Sequence, residues 1–97
     1  MLNNAQKRQL KGLASTSKIK YQLGKSGITD TAVSMFEKAL VAHELIKIDV
    51  MKGVADSKME LALDLSSKLN AEIVQVIGNT IVLYRRNKDN PKIQLAK

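Results

Sequence analysis

A short loop, Gly24-Lys25-Ser26-Gly27, carries the residues of this chain that are best suited to contacting a phosphate. The two glycines let another backbone approach closely and can adopt a positive φ, while Lys25 supplies a mobile cation between them. Thr29 is the expected cap of a helix that begins just after the loop, and a helix N-terminus adds partial positive charge. The loop therefore predicts contact with a phosphate backbone.

Positive charge is concentrated towards both ends of the 97-residue chain. Residues 1–29 contain six Lys or Arg and no acid, residues 30–72 contain eight acids and five lysines, and residues 73–97 contain five Lys or Arg and one acid. A fold that brings the two basic ends together has one strongly positive face, as nucleic-acid-binding proteins do. A simple solubility surplus is the alternative. The cations expected to extend the loop's surface are Lys7, Arg8, Lys11, Lys18, Lys20, Arg85 and Arg86.

The length and composition predict one domain over residues 1–97 with a single core. The chain has no cysteine, which excludes disulfides, thiolate zinc sites and a cysteine nucleophile. No apolar run approaches the roughly 20 residues that cross a bilayer, so we expect a cytoplasmic protein without a membrane partner.

The spacing of apolar residues predicts three helices and four strands. Helical periodicity covers residues 5–14, 30–44 and 58–69, and strand-like patterns cover residues 18–23, 45–51, 72–77 and 80–85. The last two strands flank Gly78-Asn79, a dipeptide typical of a hairpin turn. The order α-β-α-β-α-β-β predicts an α/β fold with a single four-stranded mixed sheet and helices mainly on one face. Residues 87–97 are expected to form a loose basic tail, in which Ile93 and Leu95 are candidates for brief pairing with a sheet edge.

The sequence gives less support for a catalytic function than for a binding function. A nucleotide-binding P-loop needs a glycine five positions before Gly24, where Ile19 stands. His43 is the only histidine and lies where a helix C-terminus favours it, and Glu60 with Asp64 fits a solvated helix face. We therefore expect no enzyme activity, no cofactor, no metal site and no small-molecule substrate.

Four segments in this order resemble the bacterial YhbY-like proteins, stand-alone members of the CRM (chloroplast RNA splicing and ribosome maturation) domain family. The segments are Gln9-Leu10-Lys11-Gly12-Leu13-Ala14, Leu23-Gly24-Lys25-Ser26-Gly27-Ile28-Thr29, His43-Glu44-Leu45-Ile46-Lys47-Ile48 and Gln75-Val76-Ile77-Gly78-Asn79-Thr80-Ile81-Val82-Leu83-Tyr84-Arg85. A G-x-x-G match alone is weak, but the four segments together span nearly the whole chain.

The resemblance implies a fold similar to the C-terminal domain of translation initiation factor three. It also implies that Gly24 to Gly27 form a G-x-x-G loop comparable with that of KH RNA-binding domains, and that Arg85 closes the last motif. The function it implies is association with precursors of the large ribosomal subunit, through ribosomal RNA, during ribosome assembly. We expect a monomer.

Two hypotheses follow from the sequence. The leading one is an RNA-binding protein that acts in ribosome assembly without chemistry of its own. With only two tyrosines and one phenylalanine for stacking, such binding depends on phosphates and shape, which predicts steep salt dependence. The alternative is a protein–protein adaptor that uses the leucine-bearing third helix or an exposed sheet edge.

Overall fold

The computed structural model describes residues 2–17, 20–24, 27–51 and 57–87, together with residues 89, 91, 93 and 95. Its elements follow the predicted order. The helices are α1 (Asn4–Thr16), α2 (Asp30–His43) and α3 (Lys58–Leu69), and the strands are β1 (Lys20–Leu23), β2 (Leu45–Val50), β3 (Glu72–Ile77) and β4 (Thr80–Tyr84). Within the described ranges, no helix is long and apolar enough to span a bilayer.

Each helix begins where a polar side chain accepts a hydrogen bond from its first turn. Asn3 and Gln6 form a reciprocal capping box at α1, with Gln6 N–H donating to Asn3 Oδ1 at 2.8 Å. Thr29 caps α2 by accepting from Ala32 N–H at 3.1 Å, as predicted, and Ser57 caps α3 in the same way. These local bonds explain why the helix starts are readable in the sequence.

The sheet is mixed, with strand order β1-β2-β4-β3. Strand β1 runs parallel to β2, whereas β4 is antiparallel to both β2 and β3. The β3–β4 hairpin turns at Gly78-Asn79, where Gly78 has φ 56°, a conformation that glycine adopts without strain. Strand β1 is consequently one edge of the sheet, and the loop that follows it lies at the end where β2 also finishes.

The two faces of the sheet are covered by different helices. On one face, α2 and α3 form with the sheet a core of thirteen buried apolar residues, among them Phe36 of α2, Ile48 of β2 and Leu83 of β4. On the other face, α1 packs with Leu10 and Ala14 on a smaller cluster that includes Val82. The expectation of helices mainly on one face holds for two of the three helices, since the alternating side chains of β4 leave a second apolar row for α1.

Strand β3 contains a β-bulge that the alternating sequence pattern does not predict. Ile73 pairs with Leu83 and Gln75 pairs with Val82, so Val74 is an extra residue on the β3 side. Val74 packs into the α1 cluster, and Gln75 shares that face because its partner Val82 does. Two successive residues of β3 therefore serve the same face.

The segment after β4 is held to the body at the residues the structure describes. Asn87 N–H and Ile93 N–H each donate to the buried Glu44 carboxylate at 2.6 Å, and Ile93 and Leu95 pack against the α1 cluster. For these three residues the expected loose tail is corrected. A buried carboxylate needs such donors, and Glu44 finds them in the backbone of this segment.

Candidate nucleic-acid interface

The G-x-x-G loop lies at the edge of the sheet, after the last residue of β1. Met51 N–H donates to Leu23 O at 3.0 Å, which ties the ends of β1 and β2 together beside it. Gly27 N–H donates to Gly24 O at 3.0 Å, and Gly27 has φ 72°, a conformation in which a side chain is strained. Lys25 and Ser26 fall outside the described residues, so their part in the site stays a prediction.

The N-terminus of α2, which follows this loop, carries less positive charge than the helix dipole alone would give it. Thr29 caps it, and the exposed Asp30 stands in its first turn. A carboxylate there competes with a phosphate for the N-terminal partial charge. The positive charge of the loop therefore depends on Lys25 and on cations of neighbouring elements more than on α2.

Three lysines are brought together on the α1 face of the sheet. Lys20 of β1 pairs in register with Lys47 of β2, and Lys47 lines the same cleft as Lys11 of α1. Lys20 and Lys11 are exposed, and Lys47 is half-buried. Lys11 and Lys20 are among the cations predicted from the sequence, whereas Lys47 is not, although the alternating pattern of β2 places it on the outward side of the strand.

Asp49 is the acid of β2 on this face, and its charge is engaged within the protein. Its Oδ2 lies 3.0 Å from Lys20 Nζ, and Thr80 Oγ1 donates to its Oδ1 at 2.7 Å. The hydrogen bond from Thr80 and then that from Lys20 hold the pKa of the Asp49 carboxyl below its ordinary value. Lys20 is consequently positioned along the sheet surface with part of its charge offset.

The other cations predicted for the site are spread over the molecule. Lys7 lines a groove with Glu72 at the β3 edge, and Arg8 is exposed on α1. Lys18 falls outside the described residues. The pair Arg85-Arg86 follows Tyr84, which is in register with Leu45 at the start of β2, whereas the G-x-x-G loop lies beside the end of β2. The two arginines are thus a strand length away from the loop.

The two arginines differ in their exposure and in their partners. Arg85 forms a bidentate ion pair with Glu37 of α2, in which Nη1 donates to Oε1 at 2.7 Å, and it donates to Leu69 O at 2.9 Å. The hydrogen bond from Arg85 lowers the pKa of Glu37 and raises that of Arg85. Arg86 is exposed beside Gln6 of α1. The expectation that Arg85 extends the surface of Lys20 is therefore corrected, because its guanidinium links α2 to α3.

Glu44 is a residue whose role the sequence analysis missed. It is fully buried, has φ 63°, and accepts from the backbone of Asn87 and Ile93. Nearby, burial and the Glu44 charge raise the pKa of Tyr84, whose hydroxyl has no hydrogen-bond partner among the described residues. The available sequence signal for a buried role was the position of this glutamate, directly between the end of α2 and the apolar start of β2.

The side chains considered as candidate catalytic groups, His43, Glu60 and Asp64, do not lie together in one site. His43 is half-buried at the end of α2, and Glu60 and Asp64 are exposed on α3. Among the residues described, no group of three His, Cys, Asp or Glu is placed to hold a metal ion. The arrangement offers charge and shape for binding a polyanion.

Comparison with known proteins gives matches over nearly the whole chain. The CRS1 / YhbY (CRM) domain matches residues 2–85. The chain is 39% identical over 95 residues to a Bacillus subtilis protein named "Probable RNA-binding protein YqeI", covering 98% of this chain and 99% of that one. It is 36% identical over 96 residues to a Haemophilus influenzae protein named "RNA-binding protein", covering 99% of this chain and 96% of the relative.

A solved structure shows the same fold. The solution structure of a Staphylococcus aureus protein, described as a candidate RNA-binding protein, superimposes with a TM-score of 0.82 at 42% identity, over 99% of this chain and 100% of that one. All four segments that carry the resemblance lie within the matched span. The chain thus belongs to the CRS1 / YhbY (CRM) domain family.

Proposed function

We propose that this protein binds structured RNA through the G-x-x-G loop and the basic part of its α1 face. The separation of charge between the two faces carries the proposal. Helix α1 has three cations and no acid, whereas α2 and α3 together have three lysines and four carboxylates. Relatives that match nearly the whole chain are named RNA-binding proteins, which supports the same ligand here.

The loop contributes space as well as charge. A Cβ added at Gly24 meets nothing within 4 Å, and Gly24 is not in the left-handed region. The packing of this chain therefore does not require glycine at that position. A bare backbone is useful there when a second backbone approaches closely, which fits a sugar-phosphate chain gripped between Gly24 and Gly27.

The biological setting we propose is assembly of the large ribosomal subunit in the cytoplasm, with the protein acting on ribosomal RNA as a monomer and without catalysis. This finer assignment rests on the resemblance to YhbY-like proteins. Crosslinking in cells followed by sequencing of the attached RNA tests it. Enrichment of large-subunit ribosomal RNA is expected, and a crosslink profile dominated by other RNA contradicts it.

The direct test of RNA binding is the charge reversal Lys25→Glu. We expect its affinity for structured ribosomal RNA at moderate salt to fall at least about tenfold, since one or two phosphate contacts are lost. Lys68→Glu is the matched control, because Lys68 is an exposed lysine on α3 of the opposite face. Fluorescence anisotropy titrations measure both variants, and equal affinities for them would remove the loop from the interface.

The adaptor alternative loses three of the α3 leucines but keeps the exposed Leu63 on that helix and the edge strand β1. The leucines in line on α3, Leu61, Leu65 and Leu69, are buried in the core. Ionic strength separates the two functions, because RNA binding should weaken steeply with salt whereas an apolar protein interface should respond little. A binding partner retained unchanged at high salt would favour the adaptor.

A further inference from the structure

The α1 face of the sheet contains a cleft. It measures about 460 Å³ and lies between the C-terminal half of α1 and the sheet. Lys11 and Gly12 line it from α1, and Lys47, Gln75 and Val82 line it from three strands. Small-ligand sites span roughly 300–1,000 Å³, so the cleft has room for one nucleotide.

The charge of the cleft suits a phosphate. Among the described residues, no carboxylate lines it, and neither Lys11 nor Lys47 lies within 4.0 Å of one. Asp49, on the same face, is engaged by Lys20 and Thr80, and its charge interacts with Lys47 at longer range. Two ammonium groups without a carboxylate in direct contact attract an anion to the cleft.

The β-bulge at Ile73/Gln75 aims a polar side chain into the cleft. With Val74 as the extra residue, Gln75 faces α1 beside Val82. Its amide has no hydrogen-bond partner among the described residues, and it can both donate and accept. Bulges commonly re-aim a side chain next to a functional site. An amide can hydrogen-bond to the edge of a nucleobase, and an adjacent apolar side chain can contact its face.

Gly12 keeps the helix wall of the cleft bare. It lies inside α1, where alanine is the better helix former, and an added Cβ there meets nothing within 4 Å. Packing within the protein therefore does not account for a glycine at this position. A close approach by a bound molecule does.

We propose that this cleft holds one unstacked nucleotide of the bound RNA, with its phosphate against Lys11 and Lys47 and its base against the exposed Ile77 and the Gln75 amide. The inference rests on the RNA-binding function proposed above. It adds a preference for RNA that has an extruded nucleotide over a continuous duplex.

The test uses two RNA probes, a 16-base-pair duplex and the same duplex with one unpaired nucleotide at its centre. Fluorescence anisotropy with the full chain should show at least fivefold tighter binding of the bulged probe. Gln75→Ala and Gly12→Ala should bind both probes about equally. Gln22→Ala is the matched control, because Gln22 is an exposed glutamine on the same face of the sheet and outside the cleft lining.

The outcomes separate this inference from the one on which it rests. Salt-sensitive binding without preference for the bulged probe overturns the nucleotide cleft and leaves RNA binding intact. A preference that survives in Gln75→Ala, or one lost equally in Gln22→Ala, also overturns it. Binding of neither probe overturns both proposals. Gly12→Ala should melt at the same temperature as the wild type or higher, which distinguishes a filled cleft from misfolding.

Discussion

The two faces of the sheet differ in how they are packed and in the charge beside them. Helices α2 and α3 bury thirteen apolar residues on one face, and the helix surfaces beyond them carry balanced charge. Helix α1 buries a cluster of six on the other face, and Lys20, Lys47 and Gln75 stand beside it at least partly exposed. The face covered by two helices supplies the larger part of the buried core, and the face covered by one helix has room for a ligand.

Adjacent arginines show a similar division between structure and surface. Arg85 pairs with Glu37 of α2, while Arg86 is exposed. The same residue type therefore stabilises the fold at one position and is available to a polyanion at the next. Variants that act on one face and spare the other test this division.

The largest effect is expected in the α2/α3 core. Phe36 is fully buried and meets Tyr21 edge-on with ring centroids 6.2 Å apart. Phe36→Ala should lower the free energy of unfolding by about 3–5 kcal/mol, because it removes a large buried group and leaves a cavity. Leu10→Ala on the α1 face should cost about 2–3 kcal/mol, since the smaller cluster can relax. Urea denaturation measures both, and a larger loss for Leu10→Ala would contradict the comparison.

The arginine pair provides the second test. Arg85→Met should lower the free energy of unfolding by about 1–3 kcal/mol, because Glu37 and the Leu69 carbonyl lose a donor. Arg86→Met should change stability by less than about 0.5 kcal/mol and weaken RNA binding several-fold. Thermal melts and anisotropy titrations of the two variants give the answer. The reverse pattern would place Arg85 on the interface.

The ion pair between Glu37 and Arg85 also predicts a pH dependence. The pKa of Glu37 is lowered in the folded protein, so its contribution is present above the ordinary glutamate pKa of 4.5 and is lost as pH falls through the folded value. The pKa of Asp49 is lowered too, so its contribution is present above the ordinary aspartate pKa of 3.8 and is lost as pH falls through the folded value. Glu37→Gln should cost about 0.5–1 kcal/mol at neutral pH and show a shallower acid limb. Parallel stability–pH curves for the wild type and the variant would contradict this.

The smallest effect is expected from removing one negative charge on the α1 face. Asp49→Asn keeps an oxygen to accept from Thr80 and releases Lys20 from its ion pair. RNA affinity at low salt should rise about two- to threefold, because one unfavourable charge is gone. Asp64→Asn, on exposed α3, is the control and should leave affinity unchanged. Equal gains in both variants would show that net charge alone matters.

Local sequence signals determined the elements of this protein. The caps at Thr29 and Ser57, the stop at Asn70 and the hairpin turn at Gly78-Asn79 depend on neighbouring residues only, so they can be read without knowing the fold. The period of the apolar residues assigned helices and strands for the same reason. The G-x-x-G loop and the segregation of charge along the chain were equally visible.

Only the tertiary structure decided which residues share a surface. Strand pairing joined Lys20 to Lys47, and packing gave Arg85 a partner in Glu37 while leaving Arg86 exposed. The bulge placed Gln75 towards α1. These outcomes depend on partners far away in the sequence, and a shift of one residue in a strand reverses the side to which each side chain points. Charge could be predicted from composition and order, whereas the geometry of the binding face required the register of the sheet.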